Sequence, residues 1–411
     1  MKKEQLNLVI VGHVDHGKST LIGRLLYDTD SLAPDKIEEI RKTSQDLGRD
    51  TEFAYLLDHL EEERKLGITI DTTQAFFKTA KRQYVIIDAP GHVEFMKNMI
   101  TGASQAEAAV LIIDVKEGVK EQSKRHAYIL SLIDLNQVIV VLNKMDLVNF
   151  REERFNEIKK QVQEFLDSIN IQPIFYIPTC AIDGENIVRK SKKMNWYKGP
   201  TLLEGLDSLK AKELATDKPL IFPIQDIYKI NGKRIAVGKI EAGVLEKGYS
   251  IKVLPSGQIT RINSIETYLK NINKAYVGQS IGITTTEPLF LNRGDVICLP
   301  GEEPILTNEF PANIFWMAKE DFKKDQRITI RCATQETTCK VEEIKKRINS
   351  STLEVIEERA EILKNLEVGE VLIKTKNPMA IKTFDDIQEL GRFVLIQDEN
   401  TSAGGIVTFL R

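Results

Sequence analysis

An α/β domain with a mostly parallel sheet and helices on both faces, followed by two antiparallel β-barrel domains, is the architecture this 411-residue sequence predicts. Three observations carry it. Short, nearly continuous apolar runs recur through the first half, as expected of strands buried on both faces of a parallel sheet. Longer segments with helical spacing separate them. After about residue 215 the chain becomes β-rich, with short strands that turn at glycine or asparagine.

Taken in order, the strands expected in the first half are LNLVIV (6–11), YVII (84–87), AAVLII (108–113), VIVVL (138–142) and IFYI (174–177). Segment 152–169 places Phe155, Ile158, Val162, Phe165, Leu166 and Ile169 on one stripe, the pattern of a helix lying on the sheet. Residues 198–220 read as a last helix and a linker. IAVGKIEAGVL (235–245), YSIKVLPSGQITRI (249–262) and the stretch 327–344 read as barrel strands. LPGEEPILTNEFPA (299–312), with three prolines, reads as a second boundary. The expected domains are 1–212, 216–301 and 304–411. Trp196 and Trp316, near the boundaries, are expected to pack between domains, and Phe95, Met96, Met99 and Ile100 to serve as core or as a domain contact.

Composition narrows the class. A net charge of −3 gives no overall basic field for nucleic acid or an anionic membrane. Four scattered cysteines, Cys180, Cys298, Cys332 and Cys339, suggest neither a disulfide framework nor a zinc site. The apolar stretch before Gly12 is too short for a signal-peptide core, and no run approaches a membrane span. A cytoplasmic protein is expected.

The chemistry is written in four short segments. GHVDHGKS, comprising Gly12, His13, Val14, Asp15, His16, Gly17, Lys18 and Ser19, has the spacing of a phosphate-binding loop (P-loop). Its glycines let main-chain N–H groups point inward, Lys18 reaches the outer phosphates, and the Ser19 hydroxyl suits Mg²⁺. It follows an apolar strand and opens a helix, so the phosphates would meet a helix N-terminus. NKMD (143–146) chooses the base: the Asp146 carboxylate accepts from the N1–H and exocyclic amine of guanine, a donor pair adenine lacks. Asn143 would meet the base edge and the Lys144 stem would lie on the ring. DAPGH (88–92) offers Asp88 to Mg²⁺ through water, Gly91 to the γ-phosphate and His92 to the attacking water, with a surface histidine capping a helix as the alternative reading of His92. Thr69, in KLGITID, is the natural second hydroxyl for Mg²⁺. The expected cofactors are therefore GTP and Mg²⁺, and the first domain reads as a P-loop GTPase.

GHVDHGKST, GITID, DAPGH and NKMD together resemble the translational-factor class of GTPases, and the resemblance spans the chain, because that class joins its GTPase domain to two β-barrels. It implies that Asp15, Lys18, Ser19 and Thr20 contact phosphates and metal, that Ala89 and Pro90 lie in the nucleotide site, and that Thr69 and Gly91 read the γ-phosphate. It further implies that Cys180 and Ala181, in TCA (179–181), complete the guanine pocket; Cys180 stands where the class has serine.

Two members of the class compete. Segments 98–114, 195–207 and 391–393 are similar to the archaeal and eukaryotic elongation factor that carries aminoacyl-tRNA. Segments 21–29, 117–133, 253–262, 291–297 and 340–354 are similar to the GTPase subunit of sulfate adenylyltransferase. The second is favoured here, because a longer insertion after Asp114 and an aromatic, histidine-containing tRNA-facing stretch in the third domain are missing. It implies a small catalytic subunit as partner, forming adenosine 5′-phosphosulfate and pyrophosphate from ATP and sulfate, and no nucleic acid. The alternative implies aminoacyl-tRNA.

Overall fold

The structure, a computed structural model, describes residues 5–32, 37–38, 73–88, 106–133, 135–210, 215–230, 232–267, 270–287 and 289–408. Thr69, Ala89, Pro90, Gly91, His92 and the apolar residues 95–100 lie outside the described residues. The chain forms two compact units, Met1–Lys212 with Ser350–Thr352, and Glu213–Asn349 with Leu353–Arg411.

The first unit holds a six-stranded sheet. Its strands are β1 (Gln5–Gly12), β2 (Thr73–Lys78), β3 (Gln83–Asp88), β4 (Ala108–Asp114), β5 (Val138–Asn143) and β6 (Phe175–Pro178), in the order β2-β3-β1-β4-β5-β6. All pairings are parallel except β2 with β3. The strand TQAFFK at the antiparallel edge was not expected from the apolar runs: Phe76 is exposed while Phe77 is buried, so only one face of it is covered. In β1 both faces are buried, Leu6, Leu8 and Ile10 on one and Val9 and Val11 on the other, which is why the run reads as continuously apolar.

Four described helices accompany the sheet: α1 (Lys18–Asp28), α2 (Glu121–Leu132), α3 (Glu152–Ser168) and α4 (Leu202–Ser208). Leu21, Ile22, Leu25 and Leu26 of α1 share a core with Leu202 and Leu206 of α4 and with Leu6, Leu8 and Ile10. Each such side chain taken from water stabilises the fold by roughly 2 kcal/mol before chain entropy is counted. On α3, Phe155, Ile158, Val162 and Leu166 are buried, while Phe165 lies half-buried under the Lys124 ammonium. α4 starts on a reciprocal cap: the Thr201 hydroxyl accepts the Glu204 N–H at 3.2 Å and the Glu204 carboxylate accepts the Thr201 N–H at 2.9 Å.

The second unit contains two seven-stranded antiparallel sheets that each close on themselves. In one, Ser250–Leu254 pairs with both Val296–Cys298 and Gln258–Thr267; in the other, Ile328–Cys332 pairs with both Arg392–Gln397 and Gln335–Asn349. Closure removes the open edges an antiparallel sheet would otherwise expose. The two barrels share a buried cluster, in which Leu254, Val296 and Cys298 meet Ala380, Ile387 and Leu390. Between them the connection is shorter than the proline-rich stretch suggests, because Ile305–Trp316 is already strand and Pro311 lies within it. Trp196 donates its indole N–H to the Phe150 carbonyl at 2.9 Å inside the first unit, and Trp316 is wholly buried in its own barrel beside Phe322.

Candidate nucleotide site

The sheet brings the site together by alignment of strand ends. Parallel pairing sets Ile10 opposite Asp88, Gly12 opposite Ile112 and Asp114 opposite Asn143, so the carboxyl ends of β3, β1, β4 and β5 form one rim. In open parallel sheets, ligands bind at such a rim.

Residues 13–17 turn between β1 and α1. Two glycines permit the turn. A Cβ on Gly12 would overlap the Ile112 carbonyl, and Gly17 combines φ +92° with a position where a Cβ would lie 2.6 Å from the Asn143 amide nitrogen. Asp15 also takes a positive φ, 63°. Gly17 caps α1 without a side chain, and the first turn of α1 carries no acidic residue. The N–H groups of that turn and the positive end of the helix dipole are thus left for an anion. The Lys18 ammonium donates to the Gly12 and His13 carbonyls at 3.0 and 3.1 Å. Burial pushes Lys18 down to about 8, opposed by the negative charges of Asp88 and Asp15. Ser19 and Thr20 are half-buried in the first turn, and Asp88 is buried at the end of β3.

His16 turns its side chain inward. Its ring is fully buried, with Nδ1 3.3 Å from the Ile112 carbonyl, and burial lowers its pKa to about 4. It packs edge-on to His13, with ring centroids 5.2 Å apart. The loop presents its main chain at His16, not its imidazole.

At the other end of the rim, Asn143 is a structural hub. Its Nδ2 donates to the His16 carbonyl at 3.0 Å, and its Oδ1 accepts from the Thr179 hydroxyl at 3.1 Å and the Ala181 N–H at 3.0 Å. Asn143 and Ala181, both expected at the base, here join three loops to one another. Lys144 takes φ 62° and its ammonium lies 3.0 Å from the Asp114 carboxylate. Although burial would raise it, Asp114 is held below the usual carboxylate range by Lys144 and by the N–H groups of Lys116 and Glu117, at 2.7 and 3.2 Å. Asp146 sits half-buried in the turn that follows, accepting from the Cys180 thiol at 3.1 Å. Asp114 was not foreseen; its signal was a lone acid closing the apolar run AAVLIID.

A P-loop at the end of the first strand of a parallel sheet, the NKMD turn two strands away and a pair of closed β-barrels define a translation-factor-class GTPase. Residues 3–215 match the model of the elongation factor Tu GTP binding domain, and residues 309–408 that of the GTP-eEF1A C-terminal domain. The chain is 41% identical to elongation factor 1-alpha of Methanopyrus kandleri, over 98% of this chain and 97% of that protein. It is 39% identical to elongation factor 1-alpha of Archaeoglobus fulgidus and 38% to that of Saccharolobus solfataricus, each over 99% of this chain and at least 97% of the relative. The chain belongs to the elongation factor Tu/1-alpha family of GTPases, whose cofactors are GTP and Mg²⁺.

These findings overturn the sulfate-activation reading and, with it, the small sulfate adenylyltransferase subunit as partner and the exclusion of nucleic acid. The missing insertion does not outweigh this likeness, which runs over 98% of this chain and 97% of the Methanopyrus kandleri protein. Three of the segments that pointed to sulfate lie in regular elements of the fold. Residues 21–28 are α1, whose leucines fill the core, and residues 253–262 and 291–297 are strands and turns of one barrel. Among the described residues, no helix is long and apolar enough to cross a membrane.

Proposed function

We propose that this chain is an elongation factor that binds aminoacyl-tRNA in its GTP state and delivers it to the ribosome. The observation that carries the reading is the end-to-end similarity, at 37–41% identity, to proteins named elongation factor 1-alpha. The domains proposed are 1–212, 216–301 and 304–411.

Within the site, Gly12 to Gly17 and the first turn of α1 cradle the phosphates, with Lys18 on the outer ones and Thr20 close by. Mg²⁺ fits the donors present. A half-buried hydroxyl at Ser19, in the first turn of α1, and a buried carboxylate at Asp88, at the end of β3, suit an ion that keeps several waters and shares the rest with phosphate oxygens. When bound, the ion neutralises charge on the β- and γ-phosphates. Asp146 accepts from guanine, and Lys144, steadied by Asp114, lies along the ring. Thr69, Gly91 and His92 are proposed to sense the γ-phosphate and to orient water; Ala89 and Pro90 belong to the same segment.

The test is protection of the aminoacyl ester. With a non-hydrolysable GTP analogue the chain should slow hydrolysis of charged tRNA, and with GDP it should not. Equal hydrolysis with and without the chain would contradict the reading.

A further inference from the structure

α1 carries one side chain that reaches away from the phosphate loop. Arg24, nearly two turns beyond Lys18, donates Nη1 to the Ile182 carbonyl at 3.0 Å and Nε to the Asp28 carboxylate at 2.9 Å. Asp28 lies one turn further along the same helix, so it aims the guanidinium at the loop. The two side chains are about one-fifth exposed, 21% and 17%, which spares the pair much of the screening an open surface would impose.

The loop it grips is small and closed. Cys180 and Glu185 exchange main-chain hydrogen bonds at 3.3 and 3.1 Å, so Ile182 lies inside a turn tied at its base. Gly184 in that turn has φ +76°, and a Cβ there would lie 2.7 Å from Arg24 Nε. The same turn carries the Cys180 thiol, which donates to Asp146 Oδ1 at 3.1 Å, and the Ala181 N–H, which donates to Asn143. A continuous path of contacts therefore runs from the helix that starts at the phosphates, through Arg24 and the 180–185 turn, to the carboxylate that reads the base.

We propose that Arg24 is a positioning residue that couples the phosphate end of the site to the base end and slows the escape of guanine nucleotide. The inference rests on the guanine reading of Asp146. Arg24 touches no nucleotide; it fixes the turn that holds the Asp146 carboxylate. Losing it frees the turn, and the base contact loosens before the phosphate contacts do.

Release of a fluorescent GDP, and of its inosine counterpart, from the full chain with Mg²⁺ tests this. Inosine lacks the exocyclic amine, so it reports on the Asp146 contact. Arg24→Ala should speed GDP release by roughly fivefold or more, the scale of one charge-assisted hydrogen bond, and should speed inosine nucleotide release less. Hydrolysis of bound GTP in a single turnover should stay within about twofold, since no catalytic group moves. Asp28→Asn, a milder change that keeps the fold, should act in the same direction. Gly184→Ala, which pushes against the guanidinium from the loop side, should add little to Arg24→Ala in the double variant. Unchanged GDP release in Arg24→Ala, or equal acceleration of both nucleotides, overturns the proposal. A wild-type chain that fails to bind GDP would overturn the guanine reading itself, whereas equal rates from wild type and variant would overturn the coupling alone.

Discussion

The amide nitrogen of Asn143 donates to the main-chain oxygen of His16 at 3.0 Å, binding the end of β5 to the loop that follows β1. With Thr179 and Ala181 on its Oδ1, this one buried amide holds the phosphate loop and both base loops in a fixed relation. Replacing it with alanine strands buried partners, at a cost of about 3 kcal/mol. Asn143→Ala should lower the thermal midpoint and weaken GTP and GDP binding together, as calorimetry on the same preparation would show.

Asp146 is the residue proposed to read the base. Converting its carboxylate to an amide replaces an acceptor with a donor where guanine presents two donors, while xanthine presents a carbonyl there. Asp146→Asn should therefore shift preference from guanosine toward xanthosine nucleotides, measured by competition for the site. Undiminished GTP affinity would contradict the assignment.

Gly12 is fixed by proximity. Its neighbour Ile112 is main chain in a paired strand and cannot move aside cheaply. Gly12→Ala should cost about 2 kcal/mol through overpacking and displace the loop, so nucleotide affinity should fall alongside denaturant stability. A substitution that leaves both intact would remove Gly12 from this account.

All four cysteines are buried, and burial pushes each thiol up to about 12. Because the thiolate is the reactive form, protection persists through neutral pH and is lost only as pH climbs toward those values. Native protein at pH 7–8 should take up almost no alkylating reagent, and denatured protein four equivalents, counted by mass spectrometry.

Much of the first unit was legible because its strands are buried on both faces, so VIVVL and AAVLII stand out as unbroken apolar runs and the phosphate loop announces itself between a strand and a helix. The strand Thr73–Lys78 did not stand out, since an edge covered on one face gives a short alternating signal. Asp114 and Arg24 were not foreseen for another reason: each acts through a partner distant in sequence, 30 residues for Asp114 and Lys144 and 158 for Arg24 and Ile182, and no local spacing encodes that. The client is not legible in a segment such as 21–29, because its leucines encode core packing that any member of the class needs.

We propose that the nucleotide held at the end of β1 governs affinity for charged tRNA. Titrating a fluorescent aminoacyl-tRNA with the chain loaded in turn with a GTP analogue and with GDP measures it directly. The account predicts that the GTP-analogue form binds at least about tenfold tighter, a coupling of roughly 1.4 kcal/mol. Equal affinity in the two forms would contradict it.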